Sequence, residues 1–214
     1  MRAIPILLAC LLVPIAHAQT VLDPGFGNFA PGVSVLPVNQ GGTDADWARA
    51  LLRRPDGHLV LVGDATTLSG PVAVVLQLDE SGVPDPMFGG GDGRLTFIYP
   101  AGPTANLSIR AAALQPDGKI LVSGLSDAGI AVVYRVLADG SGLDPAFSTD
   151  GAVHLSADQA GGVAVDGDGR VVFVGSKRVP ILGGTNQAYR ILVARWLANG
   201  NTDTDFADFG TGTF

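Results

Sequence analysis

The stretch Ala113-Leu114-Gln115-Pro116-Asp117-Gly118-Lys119-Ile120-Leu121-Val122-Ser123-Gly124 decides the fold, because something very like it stands twice more in the chain. Residues 50–63 read ALLRRPDGHLVLVG and residues 164–175 read AVDGDGRVVFVG. Each copy is an apolar run, a tight turn ending in Asp-Gly, and a second apolar run. Proline presets φ near about −65° at the first turn position, aspartate tolerates the bend, and glycine supplies the positive φ that closes a short hairpin loop with a glycine bulge. One copy predicts a β-hairpin. Three copies at a fixed period predict a repeat architecture.

A second motif fixes the period. Asp-Pro-x-Phe occurs at Asp23–Phe26, Asp85–Phe88 and Asp144–Phe147, and without its proline at Asp203–Phe206. The phenylalanines at 26, 88, 147 and 206 are spaced by 62, 59 and 59 residues. The repeats run approximately over 23–84, 85–143 and 144–202, with a partial copy at 203–214.

Within one period there are four strand-length apolar runs, rich in β-branched and aromatic residues and bounded by Gly, Pro, Asp or Ser. In the central copy these are 94–99, 109–114, 119–123 and 130–137. In the first they are 32–36, 48–52, 58–62 and 72–78, and in the third 152–156, 162–165, 170–174 and 189–197. Runs such as VAVVL at 72–76 are apolar at successive positions, which suits strands buried on both faces. No stretch carries a capped helical period. The expected fold is all-β: tandem four-stranded antiparallel sheets, β-propeller-like, with about three blades. The Asp-Pro-x-Phe phenylalanine is expected to act as a plug between adjacent sheets.

The combination Ala-Leu-Gln-Pro-Asp-Gly-Lys-Ile-Leu-Val (113–122), Ala-Asp-Gly-Ser (138–141) and Leu-Asp-Pro-x-Phe (143–147) resembles the delta-60 repeat. The resemblance covers nearly all of the chain beyond residue 18, the third copy departing from it at Gly167, where the turn proline should stand. It implies a propeller-type fold, an exported bacterial protein, and no defined catalytic residues. In related propellers the run ending in the Pro-Asp-Gly turn is innermost, and the Asp-Pro-x-Phe strand completes the blade before it. On that phase residues 32–36 are a left-over outer strand and residues 210–214 supply the outer strand of the last blade.

Propellers close with four to eight blades, and about three are encoded. Two or more chains completing a ring, an open or small closed array, and a piece of a longer propeller all remain open. Assembly or truncation is favoured, because bare blade faces are large apolar patches.

The first residues, MRAIPILLACLLVPIAHAQ, combine Arg2, an apolar stretch from Ile4 to Ile15 and an Ala16-His17-Ala18 site. They predict a secretory signal peptide over 1–18, with 19–214 as the repeat domain, and a periplasmic, secreted or cell-surface location. Leu7-Leu8-Ala9-Cys10 also resembles a lipobox, a rival that would leave an unusually short leader. The stretch is shorter than the roughly 20 residues of a membrane span. Cys10 is the only cysteine, so the remainder has no disulfide. A net charge of −7 without a basic cluster argues against nucleic acid as a partner.

Chemistry-bearing constellations are sparse. His17, His58 and His154 fit no metal-ligand spacing, and the two downstream of residue 18 read as strand surface. Ser123 and Ser176 lie outside any G-x-S-x-G elbow. Asp166-Gly167-Asp168-Gly169 and Asn201–Asp205 alternate oxygen ligands as calcium loops do, yet the first is a copy of a hairpin turn and the second lacks the loop's glycine and glutamate. Asn106-Leu107-Ser108 fits a glycosylation sequon. Arg49, Arg110 and Arg195 stand in strands at comparable positions, from which they either line a central channel and meet an anionic ligand or pair with turn aspartates, the second being favoured. No catalytic residue, cofactor ligand or metal ligand is assigned. The expected role is a non-enzymatic exported module presenting blade loops to a protein or glycan, with self-association through exposed blade faces as another mode of contact. The alternatives are a propeller enzyme on small sugars or lactones, or a structural piece of a larger surface protein. The innermost runs ARALL, RAAAL and GGVAV carry almost none of the polar groups such an enzyme needs.

Overall fold

The computed structural model describes residues 22–38, 41–68, 70–98, 107–181, 186–207 and 211–213. Residues 1–18, where a signal peptide is expected, with Cys10 and His17, and the sequon asparagine Asn106 lie outside the described residues.

The described residues form three four-stranded antiparallel sheets, each built from strands consecutive in sequence. Blade 1 is β1 (Gly41–Arg53), β2 (Leu59–Thr67), β3 (Gly70–Leu78) and β4 (Arg94–Phe97). Blade 2 is β5 (Leu107–Leu114), β6 (Ile120–Ser126), β7 (Ile130–Val136) and β8 (Ala152–Ser156). Blade 3 is β9 (Gln159–Val165), β10 (Val171–Pro180), β11 (Gln187–Trp196) and β12 (Thr211–Thr213). This is the expected all-β, propeller-type arrangement. No helix among the described residues is long and apolar enough to cross a membrane.

The three copies of the opening hairpin are β1–β2, β5–β6 and β9–β10. Gln115 and Lys119 close the second, the Gln115 amide donating to the Lys119 carbonyl at 2.8 Å and the Gly118 amide to the Gln115 carbonyl at 3.0 Å. Gly118 sits at φ 83°, where a side chain is disfavoured. The Asp-Pro-x-Phe segment follows the third strand of each sheet and leads into the fourth.

Two expectations about strands are corrected. Residues 32–36 do not form a strand: Val33 makes an isolated bridge to Ala30, and residues 34–38 join no ladder. An outer strand needs the third strand of its own blade beside it, and among the described residues none lies beside these. β12, by contrast, has β11 as its partner and pairs with it through Leu192–Ala194. The hairpin arms are also longer than the apolar runs: β10 and β11 pair over Val171–Pro180. Their distal halves carry Lys177, Arg178, Tyr189 and Arg190 and so escape a reading based on hydrophobicity.

The successive-position apolar runs of blade 2 are buried on both faces because each face of that sheet meets another blade. Val60, Val62, Ala73 and Val75 of blade 1 pack with Ile120, Val122, Val132 and Tyr134 of blade 2. Leu121, Ala131 and Val133 on the opposite face of blade 2 pack with Val171, Phe173, Leu192 and Ala194 of blade 3. Phe88 and Phe147 are fully buried in these two layers, each such burial stabilising by about 1.5–3 kcal/mol.

Candidate functional site

The two ends of each blade differ in chemistry. One end holds the Asp-Gly hairpin turns and the Asp-Pro-x-Phe segments, and its polar groups fasten blade to blade. Phe88 lies against Gly140 and Phe147 against Gly200, so that a Cβ on Gly140 would run into the ring and one on Gly200 into the Ser148 amide nitrogen beside the ring. Beside each plug a backbone amide crosses the joint: Gly89 donates to the Asp139 carbonyl at 3.0 Å and Ser148 to the Asn199 carbonyl at 2.7 Å. The plug expectation thus takes a concrete form.

An arginine completes each joint. Arg135 on β7 donates through Nε to Asp144 at 2.8 Å, stacks over Phe147 at 4.5 Å, and donates through Nη1 to the Ala198 carbonyl of blade 3. At the preceding joint the guanidinium comes from Arg54, beside the hairpin turn, and donates to the Ala138 carbonyl of blade 2 at 2.7 Å. Its Nε donates to Gln77 at 2.6 Å, and Gln77 donates on to Asp85 at 2.6 Å. Arg54 was not singled out by sequence. The only signal for it is that the residue before the turn varies, being Arg54, Gln115 and Asp166 in the three copies.

The turn aspartates are tied into the same network by the residue that follows the turn. His58 lies 3.1 Å from Asp56 and 3.6 Å from Asp85. Lys119, its counterpart, lies 3.1 Å from Asp117 and 3.2 Å from Asp144. His58 is therefore a bridge between turn and plug rather than plain strand surface, whereas His154 on β8 is exposed. Burial pushes the Asp144 carboxyl up, but the Ala146 amide, Lys119 and Arg135 outweigh it and leave its pKa below the usual aspartate value. Asp85 is lowered in the same way, burial being outweighed by the Met87 amide, Gln77 and His58.

The calcium-loop candidates meet cations of the chain itself. Both Asp166 and Asp168 are ion-paired to Arg170, at 2.7 and 2.6 Å, and Asp203 is ion-paired to Arg195 at 2.7 Å. Among the described residues no group of three or more His, Cys, Asp or Glu stands together as a metal site. Ser123 is fully buried, and Ser176 lies within β10, paired with Gln159.

The other end is different. Its connections between second and third strands change from blade to blade: Leu68–Ser69, then Asp127–Gly129, then residues 181–186. Here the sequence-predicted arginines separate. Arg49 and Arg110 occupy matching β-bulges on the innermost strands β1 and β5, each an extra residue between paired neighbours, and a bulge re-aims its side chain. Arg49 is held by Asp64 at 2.7 Å. At the place corresponding to Asp64 blade 2 carries Leu125, and Arg110 is exposed with no ion pair among the described residues. Arg110, Leu125, Asp158, Gln159 and Ala160 line a groove of about 460 Å³ between blades 2 and 3. Asp158 in its wall is paired with Arg178 at 2.9 Å. The groove offers a cation, an amide and an apolar patch, a set suited to binding an anionic or hydroxylated group. Arg195 is at the opposite end and joins no common channel with the other two.

Three propeller-type sheets with plugged joints define a repeat protein of the β-propeller class. A family model described as a domain of unknown function (DUF5122), beta-propeller, matches residues 54–88 and 115–147. Each matched stretch runs from the residue before the Pro-Asp-Gly turn to the plug phenylalanine, which is the unit that builds a joint. No curated protein matches the chain.

Proposed function

We propose that the chain is an exported, non-enzymatic repeat module of delta-60 type that presents its variable end, with the Arg110 groove, to a protein or glycan partner. The observation that carries this reading is the asymmetry between the two ends. At the turn-and-plug end side chains recur at equivalent positions and are engaged with one another. At the other end loop length and chemistry change from blade to blade, as a recognition surface on a repeated scaffold does.

The test is a screen of the chain lacking residues 1–18 against glycan and peptide arrays, followed by titration of the hits. Carboxylate- or sulfate-bearing ligands should be enriched, and Arg110→Ala should weaken them at least tenfold while Arg190→Ala leaves them unchanged. Arrays without a hit, together with turnover of sugar lactones or esters, would replace this reading with the enzymatic one.

A further inference from the structure

The joint between blades is built twice within the chain, and its two halves are present once more, unjoined. The donor half lies on blade 3. Arg195 donates to Asp203 and stacks over Phe206 at 4.5 Å, as Arg135 does with Asp144 and Phe147. Yet Phe206 is only half-buried, and Arg195 meets no carbonyl of a following blade among the described residues. Ala207 takes the place of Gly89 and Ser148 and holds φ at 49°, a left-handed conformation unfavourable for alanine. In the two completed joints that conformation aims an amide at the next blade. At Ala207 the amide has no acceptor among the described residues. The face behind it is apolar and open: Ile191 is 62 % exposed, whereas Ala131 at the same place in blade 2 is 2 % exposed.

The acceptor half lies on blade 1. The turn Asp79-Glu80-Ser81-Gly82 corresponds to Leu137–Gly140 and Leu197–Gly200, with Gly82 at φ 78°. Its seat is filled within the chain by the N-terminal segment: a Cβ on Gly82 would stand 2.7 Å from the Phe26 ring, and the Gly27 amide donates to the Ser81 carbonyl at 2.8 Å. This plug is incomplete among the described residues, where no arginine or glutamine meets Asp23 as Gln77, Arg135 and Arg195 meet Asp85, Asp144 and Asp203. The face beneath is incompletely covered, residues 34–38 leaving a cavity of about 300 Å³ over Leu61, Val74 and Leu76. Leu51 on that side is 64 % exposed.

We propose that two copies of this chain join head to tail, the Arg195–Phe206–Ala207 set of one seating on the Ser81–Gly82 turn of the other, and that Phe26 competes for the same seat. Continuity with the two internal joints identifies the occupant, and charge agrees: Arg195 would arrive beside the exposed Glu80, where the internal joints have Ala138 and Ala198. Two such joints bring six blades together, inside the four-to-eight range in which propellers close, whereas three copies would bring nine. The two head-to-tail joints are related by a two-fold axis, so the assembly closes on itself. This assembly is independent of the ligand reading above.

Sedimentation equilibrium on the full chain and its variants tests it. Phe26→Ala frees the seat and should tighten dimerisation at least tenfold over the wild-type chain, and adding Phe206→Ala should return the protein to monomer. In a Cys10→Ser background, Ser81→Cys with Ala207→Cys should give a disulfide-linked dimer on a non-reducing gel, while either cysteine alone should give none. This second measurement needs no loss of the N-terminal plug and stands even where Phe26→Ala unfolds blade 1. Monomer in every variant, no cross-link from the paired cysteines, or a dimer indifferent to Phe206→Ala would overturn the proposal. A ladder of larger species would overturn its two-copy closure.

Discussion

Arg54 and Arg135 reach equivalent carbonyls, Ala138 and Ala198, from different places, Arg54 from beside the hairpin turn and Arg135 from β7. Blade 1 pairs Arg54 with Gln77, and blade 2 carries the reverse, Gln115 with Arg135. The joint therefore requires one guanidinium in a given volume and is indifferent to which of the two positions delivers it. This makes a sharp prediction. Arg135→Gln keeps a donor for Asp144 but loses the bond to Ala198 and the stacking on Phe147, and should destabilise by about 1.5–3 kcal/mol, the range for a hydrogen bond to a charged group. Adding Gln115→Arg recreates the blade 1 arrangement and should recover more than half of that loss in urea melts. Simple additivity of the two substitutions would refute the equivalence.

The innermost strands show how much of such detail sequence carries. Asp64, near the end of β2, is buried and accepts the Ile109 amide of β5 at 2.6 Å while holding Arg49 at 2.7 Å. It ties blade 1 to the bulge of blade 2. Asp64→Ala strands a buried amide and should cost about 1–3 kcal/mol; Arg49→Ala, losing a half-exposed partner, should cost well under half as much by thermal melting. The hairpins and plugs were legible because turn chemistry and a buried aromatic recur at a fixed spacing. Asp64 and Arg54 were not, because each stands in one copy only, and repeat alignment averages such residues away. The missing strand at 32–36 has a related cause: VSVL has strand composition, but a strand exists only where a neighbour offers its edge. Arg110 was legible as one of three strand arginines, matched in the structure by Arg49 alone, and only the replacement of Asp64 by Leu125 across the blades set it apart.

Across the three blades the carboxylates act together, and this fixes the sign of the acid response. Asp85, Asp117 and Asp144 have lowered pKa values because, although burial raises them, amides and cations of the turns and joints more than compensate. Asp56 and Asp166 are lowered chiefly by hydrogen bonds from His58 and from Arg170. A carboxyl whose folded pKa lies below its ordinary 3.8 binds fewer protons folded than unfolded, so stability rises with pH through its titration. The stabilisation is complete above about pH 5 and is lost as pH falls through and below the ordinary aspartate value. Thermal melts between pH 7 and pH 2 should show a nearly level Tm down to about pH 5 and a continuous fall beneath it. Asp144→Asn should lower Tm at pH 7, where the Arg135 and Lys119 pairings are lost, and flatten the fall, because one depressed carboxyl no longer titrates. The two curves should converge towards pH 2. A wild-type Tm that stays level from pH 5 to pH 2, or an Asp144→Asn curve parallel to it, would show that the joints are held by packing of Phe88 and Phe147 and not by their charges.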